Sequence, residues 1–149
     1  MPHLPASRFR RIAKVIAIDA THRIALLPHL ADNRAWRLPQ HSARLNEPYA
    51  DTVVRLCRDL LSPYPTRLGT VTGRRWAPAP EGPAREAEVR FYIVRVDTEP
   101  DDEGPGGRIL WAPRAVLGLW LGCPEVESVS VLVDGYLNGW LPDGPITLR

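Results

Sequence analysis

The sequence predicts an α+β protein, a sandwich in which helices pack on a mixed central β-sheet. Two observations carry this. Alternating, β-branched segments outnumber helical ones, in the order β-β-β-α-β-β-β-α. The strands also follow one another closely enough for hairpins, so parallel crossovers are not demanded. A chain of 149 residues fits one domain, taken here as 1–149 with a flexible lead over 1–8. It can bury roughly 70% of its unfolded surface.

Each element has its own signal. Arg11 to Asp19, "RIAKVIAID", alternates and is rich in β-branched residues, and "RIALLPHL" follows it after a turn at "ATH". The two resemble a hairpin. "ADNRA" reads as a loop and "WRLP" as a short strand. A helix begins at Glu47 and Pro48, a carboxylate and a proline that both suit a first turn. Tyr49, Val53, Cys57 and Leu60 or Leu61 then form its buried stripe. "SPYP" stops it at Ser62.

"RLGTVTGRRWAP" is a strand, and "APAPEGPARE" a proline-rich loop. Glu88 to Asp97, "EVRFYIVRVD", is the cleanest strand in the chain. The acids Glu99, Asp101, Asp102 and Glu103 follow in a loop with no ligand spacing. "RILWAPRAVLGLW" is a strand entering a short helix, and a final helix starts near Glu125 with Val129, Leu132, Val133 and Tyr136 on one side.

Composition bounds the function. The net charge is +2, too mild to argue for nucleic acid. "RFRR", Arg8 to Arg11, reads as a solvated strand edge rather than a binding patch. No apolar run reaches the ~20 residues that span a bilayer. No secretory signal is visible, so a cytoplasmic location is expected. Cys57 and Cys123 are expected to be reduced, with Cys57 a core residue. Two cysteines and four scattered histidines give no zinc spacing.

The opening strands, "WRLP", the helix that follows, "LGTV", "FYIVRV" and the closing "GYLNGWLPDGPITL" together resemble a Nudix domain. The ending is similar to tails common in actinobacterial members. The family's motif, G-x5-E-x7-R-E-U-x-E-E-x-G-U with U a bulky aliphatic, fits in one register. Its first glycine falls on His41, its first glutamate on Glu47 and its arginine on Arg55. The catalytic glutamate falls on Leu56, the aliphatic on Cys57 and the paired glutamates on Asp59 and Leu60. The last glycine and aliphatic become Ser62 and Pro63.

The resemblance implies an α/β/α sandwich and, in the family, magnesium-assisted cleavage of a pyrophosphate. That chemistry needs oxygen ligands for the metal and an activated water. Here two of three helix ligand positions are leucine, and Asp59 alone remains as a weak metal ligand. "WAPRAVLGLW" contains no acid to replace them. Glu86 and Glu88 could do so only by pointing inward. Glu47 and Arg55, by the same resemblance, are structural.

The expected function is therefore a Nudix-fold protein with a degenerate motif, lacking metal-dependent hydrolysis and acting as a ligand-binding or accessory protein. No cofactor is expected; magnesium or manganese enters only if a divergent hydrolase of nucleoside diphosphate derivatives survives. A third reading is a metal-independent enzyme of a biosynthetic pathway, performing a cyclisation, isomerisation or hydrolysis. His41, Glu47 and Asp59 are its polar candidates, His41 as a base or anion binder. Trp76, Arg74, Arg75 and Tyr92 are the candidate contacts for a small ligand, nucleotide-like or phosphorylated. Neither a membrane nor a nucleic acid is an expected partner. Homodimerisation through the β-rich face is left open.

Overall fold

The structure is a computed structural model of the chain and describes residues 9–29, 32–62, 64–79, 85–100, 109–122, 125–141 and 144–148. Eight strands are β1 (Phe9–Ile18), β2 (Ile24–His29), β3 (Asp32–Arg37), β4 (Gln40–Ser42), β5 (Thr66–Pro78), β6 (Glu86–Val96), β7 (Leu110–Ala112) and β8 (Gly144–Thr147). The helices are α1 (Tyr49–Leu61), α2 (Leu117–Trp120, entered through a 3-10 turn at Arg114–Val116) and α3 (Glu125–Asn138). The strands form one mixed sheet in the order β3-β2-β1-β6-β5-β8, with β4 also on β1 and β7 also on β2.

β1 is central. Its parallel register with β6 runs unbroken from Phe9↔Glu86 to Ile18↔Arg95. A strand covered on both faces must be apolar on both, which is why "IAKVIAI" alternates so weakly. Ala13, Val15 and Ala17 pack beneath α1 with Tyr49, Val53, Leu56 and Leu61. Ile12, Ile16 and Ile18 face the other way, with Phe91, Ile93, Val129, Leu132 and Val133. α3 is held close to the sheet on that side: a Cβ on Gly73 of β5 would lie 2.8 Å from Leu132 Cδ1. Lys14 Nζ donates to Glu125 Oε2 at 2.9 Å, tying β1 to the start of α3.

Several expectations are corrected here. "ADNRA" was read as a loop, yet Asp32 to Arg37 is β3; pairing with β2 overrides the weak strand propensity of those residues. β1 and β2 do form the expected antiparallel hairpin, but it is short, with the register pair Ile18↔Ile24; the long partner of β1 is the parallel β6, which the sequence did not demand. Cys57 is only partly buried, and Leu56 takes the place in the core. Steps of four residues drift around a helix of 3.6 residues per turn, so Leu56, seven beyond Tyr49, returns beneath it. Arg10 and Arg11 lie on the central strand, not on a sheet edge. Residues 1–8, Cys123 and the acids Asp101, Asp102 and Glu103 lie outside the described residues. No helix among the described residues is long and apolar enough to cross a membrane.

Candidate functional site

The segment from β4 through α1 is organised by one carboxylate. Glu47 Oε1 accepts from the backbone N–H of Arg44 at 3.0 Å, from Thr52 Oγ1 at 2.8 Å and from Arg55 Nη2 at 2.9 Å. Arg55 also donates to the Ser42 carbonyl at 3.2 Å, and Arg11 Nη2 to the Glu47 carbonyl at 2.6 Å. Charge-assisted bonds of this kind favour the ionised acid. The Arg55 side chain, then the Arg44 N–H, hold the Glu47 carboxyl down at about 2. One turn and one helix end are thus locked together. α1 has no side-chain cap at Pro48; Glu47 supplies the order there instead.

Further along α1 the character changes. Leu56, Asp59 and Leu60 stand at i, i+3 and i+4 and so share a helix face. Leu56 is 1% exposed in the apolar cluster beneath α1, and Leu60 packs against the same cluster. Asp59 is exposed, with Oδ2 3.5 Å from His41 Nε2 of β4. The contact falls outside hydrogen-bond geometry, and His41 Nε2 has no other hydrogen-bond partner among the described residues. His41 and Asp59 are brought together; Glu47 faces a separate network.

A third group gathers at the start of β6. Glu88 is 6% exposed and points inward under the first turn of α1. Tyr49 Oη donates to its Oε1 at 2.8 Å. Arg74 Nε approaches Oε2 at 2.7 Å and Arg90 Nε approaches Oε1 at 3.4 Å. The guanidiniums of Arg11 and Arg90 stack on the Tyr49 ring at 4.6 and 4.4 Å. Burial first, and then Glu88, raise the Tyr49 phenol above its ordinary range. Arg74 also stacks on Trp76 at 5.4 Å, and Trp76 meets Phe9 edge to face at 5.2 Å.

No protein-family model and no curated relative matches the sequence. Solved structures do. The chain is similar to an Ap4A hydrolase of C. elegans, with a TM-score of 0.68 at 12% identity over 87% of this chain and 98% of that one. A Nudix-family hydrolase from Clostridium perfringens gives a TM-score of 0.61 at 9% identity, over 83% of this chain and 95% of that one. The C-terminal domain of mouse MUTYH, crystallised with human PCNA, gives 0.64 at 11%, over 92% and 94%. The chain has the Nudix fold.

Within a Nudix fold the question is whether these residues suit a divalent cation. They do not. Magnesium needs several oxygen ligands in near-octahedral array. Leu56 and Leu60 have none, Glu47 is committed to Arg55, and Asp59 is a single carboxylate. Glu88 does point inward, but two guanidiniums flank it, an environment that repels a cation. Among the described residues no group of three His, Cys, Asp or Glu side chains could hold a metal.

The remaining candidates separate. Arg74 and Trp76 share the α1 side of β5 with Glu88. Arg75, one residue from each, points to the opposite face, because successive strand residues alternate. Tyr92 lies in the core beneath α1. Burial pushes the Cys57 thiol up to about 11, leaving it protonated and a poor nucleophile. Sequence reading missed Arg90 and Tyr49, and it weighed Glu88 only as a substitute ligand. Their grouping depends on strand register, which no local pattern announces.

Proposed function

We propose that this Nudix-fold protein lacks metal-dependent pyrophosphohydrolysis and acts by binding a small ligand or a partner. One observation carries the reading: the helix position for the catalytic glutamate holds Leu56, packed into the apolar core. A carboxylate there would sit among Val53, Leu61, Tyr92 and Val94 at a large desolvation cost. The polar network of Glu47, Arg55 and Thr52 shapes the loop and helix without offering a ligand set. Solved neighbours support two kinds of role. One is a binary complex of the C. elegans Ap4A hydrolase, in line with a nucleotide-like ligand here; another is a domain in complex with a protein partner, in line with an accessory role. Trp76 and Arg74 are the ligand contacts we favour, since the aromatic face and guanidinium suit a flat anionic group.

The test is turnover of a panel of nucleoside diphosphate derivatives under magnesium and manganese titration. No metal-dependent hydrolysis is expected. Hydrolysis that requires metal and disappears in Asp59→Ala would overturn the reading.

A second reading rests on the His41–Asp59 approach. A histidine beside a carboxylate can move a proton without metal, which suits a metal-independent enzyme. A chelator-resistant activity that is lost in both His41→Ala and Asp59→Ala would select it. Equal activity in those variants and in the wild type would remove it.

A further inference from the structure

α1 does not roof the whole of the sheet beneath it. Between the pairs Leu68↔Val94 and Thr72↔Tyr92 a bulge sets three residues of β5 against one of β6, and β8 covers the outer edge of β5 only from Val71 to Arg74. Ahead of the bulge, the start of β5 and the flank of α1 enclose a half-open cavity of about 450 Å³, lined by Val53, Val54, Cys57, Tyr64, Leu68 and Val94 among others. Val54, Cys57 and Arg58 share this helix face at i, i+3 and i+4, while Asp59 turns away toward His41. Arg74 and Trp76 lie at the other end of β5. The turn after α1 fixes one wall. The backbone N–H of Tyr64 donates to the Leu61 carbonyl at 2.7 Å, and the Tyr64 ring meets the buried Trp111 edge to face at 6.5 Å.

The lining is apolar and close to neutral. Val54 and Leu68, 60% and 49% exposed, form two apolar lips, one on the helix and one on the strand. No carboxylate lines the cavity among the described residues, and the Cys57 thiol is protonated. Arg58 brings a charge to the mouth. Its side chain is 71% exposed, with Nε 4.0 Å from Asp59 Oδ1, and the carbonyls that end α1 offset it further. Ser62, Tyr64 and Thr66 supply hydroxyls that have no side-chain partner among the described residues.

We infer that this cavity binds a small, uncharged, largely apolar molecule carrying one hydrogen-bonding group. Its body packs on Val53, Val54, Leu68 and Val94 beside the Tyr64 ring, and one of the three hydroxyls takes its polar group. A concave apolar site with a few polar groups suits such a ligand. A carboxylate would give up water here for a single exposed guanidinium that already has an acid beside it. The exposed apolar surface is two side chains around one hollow, where a stable protein interface buries upward of about 1,000 Å². The inference goes beyond the function proposed above. It uses none of Arg74, Trp76, His41 or Asp59, so its failure would leave that reading standing.

The test is an amide NMR titration of the full chain with phenethyl alcohol and with phenylacetate, which keeps the ring and adds a charge. Phenethyl alcohol is expected to give saturable shifts at Val54, Cys57 and Leu68, and phenylacetate to bind roughly tenfold more weakly or less. Leu68→Glu and Val54→Glu should each weaken the alcohol about tenfold. Leu119→Glu, at an exposed position of α2 outside the cavity, should leave it unchanged. Thermal melts check that the variants fold, and the second lip keeps the test open should one of them fail to. Shifts that do not saturate or that centre elsewhere, phenylacetate binding as tightly as the alcohol, or full affinity in folded Leu68→Glu or Val54→Glu would overturn the proposal. So would self-association in sedimentation velocity that Leu68→Glu abolishes, since a second copy of the chain would then be the occupant.

Discussion

The two halves of the segment from β4 through α1 differ in character. At the entry to α1, Glu47 holds the Arg44 N–H, Thr52 and Arg55 in a polar network. Two turns later the same helix presents Leu56 and Leu60 to the core and leaves Asp59 at the surface. The polar half shapes the chain. The other half lies in the packing, with Leu56 buried and Leu60 against the same cluster. Within one helix, polar bonding and apolar packing thus divide the work of fixing the chain.

The sharpest way to break this contrast is Leu56→Glu. Restoring the acid should not restore chemistry; an unpaired carboxylate in that cluster is expected to cost about 3–5 kcal/mol, read by urea denaturation. A variant as stable as the wild type that gained magnesium-dependent turnover would show that the position is still a ligand site. Next comes Glu88→Ala, which strands Arg74, Arg90 and Tyr49 around an empty place. A loss of about 2–3 kcal/mol is expected, with Glu88→Gln milder because the Tyr49 bond can persist. Equal losses for the two would argue against the hydrogen bond.

Glu47 sharpens the polar half. Its carboxyl sits at about 2 in the folded chain against an ordinary 4.5. Its folded value is depressed, so its contribution is complete above about pH 4.5 and fades as the pH falls toward 2. In Glu47→Gln that part of the acid sensitivity should vanish, leaving the variant less stable than wild type near neutrality and closer to it near pH 2. Parallel pH profiles of the urea midpoint would contradict the network described. Smallest of all is Asp59→Ala. An exposed carboxylate 3.5 Å from His41 is worth under about 0.5 kcal/mol. A larger loss would mean that this pair carries structure.

Much of this was legible beforehand. β1, β6, α1 and α3 announce themselves by period and punctuation, and α1 runs from Tyr49 to Leu61 as its prolines imply. β4 and β8 are three and four residues long; pairing with β1 and β5, not composition, makes them strands. The motif register located Leu56 and Leu60, but only packing reveals how deeply Leu56 is enclosed. Arg10 and Arg11 read as an edge because the parallel union of β1 with β6 leaves no trace in either segment alone. Arg74 and Arg75 look alike in sequence, and the pleat sends them to opposite sides.

That parallel union also dictates a timetable. β1 contributes to both cores, yet its longest pairing, from Phe9↔Glu86 to Ile18↔Arg95, joins segments far apart in the chain. At ribosomal speeds of 5–20 residues per second, Phe9 is made roughly 4–15 s before Glu86. During that interval the central strand, with six of its ten residues buried in the finished fold, lacks its principal neighbour. Its first contacts must come from β2 and β4, and the sheet can close only from the middle outward once β6 emerges. Long-range pairings of this kind slow folding, so a pulse-labelled nascent chain halted before Glu86 should expose β1 to protease, and one extended past Val96 should protect it.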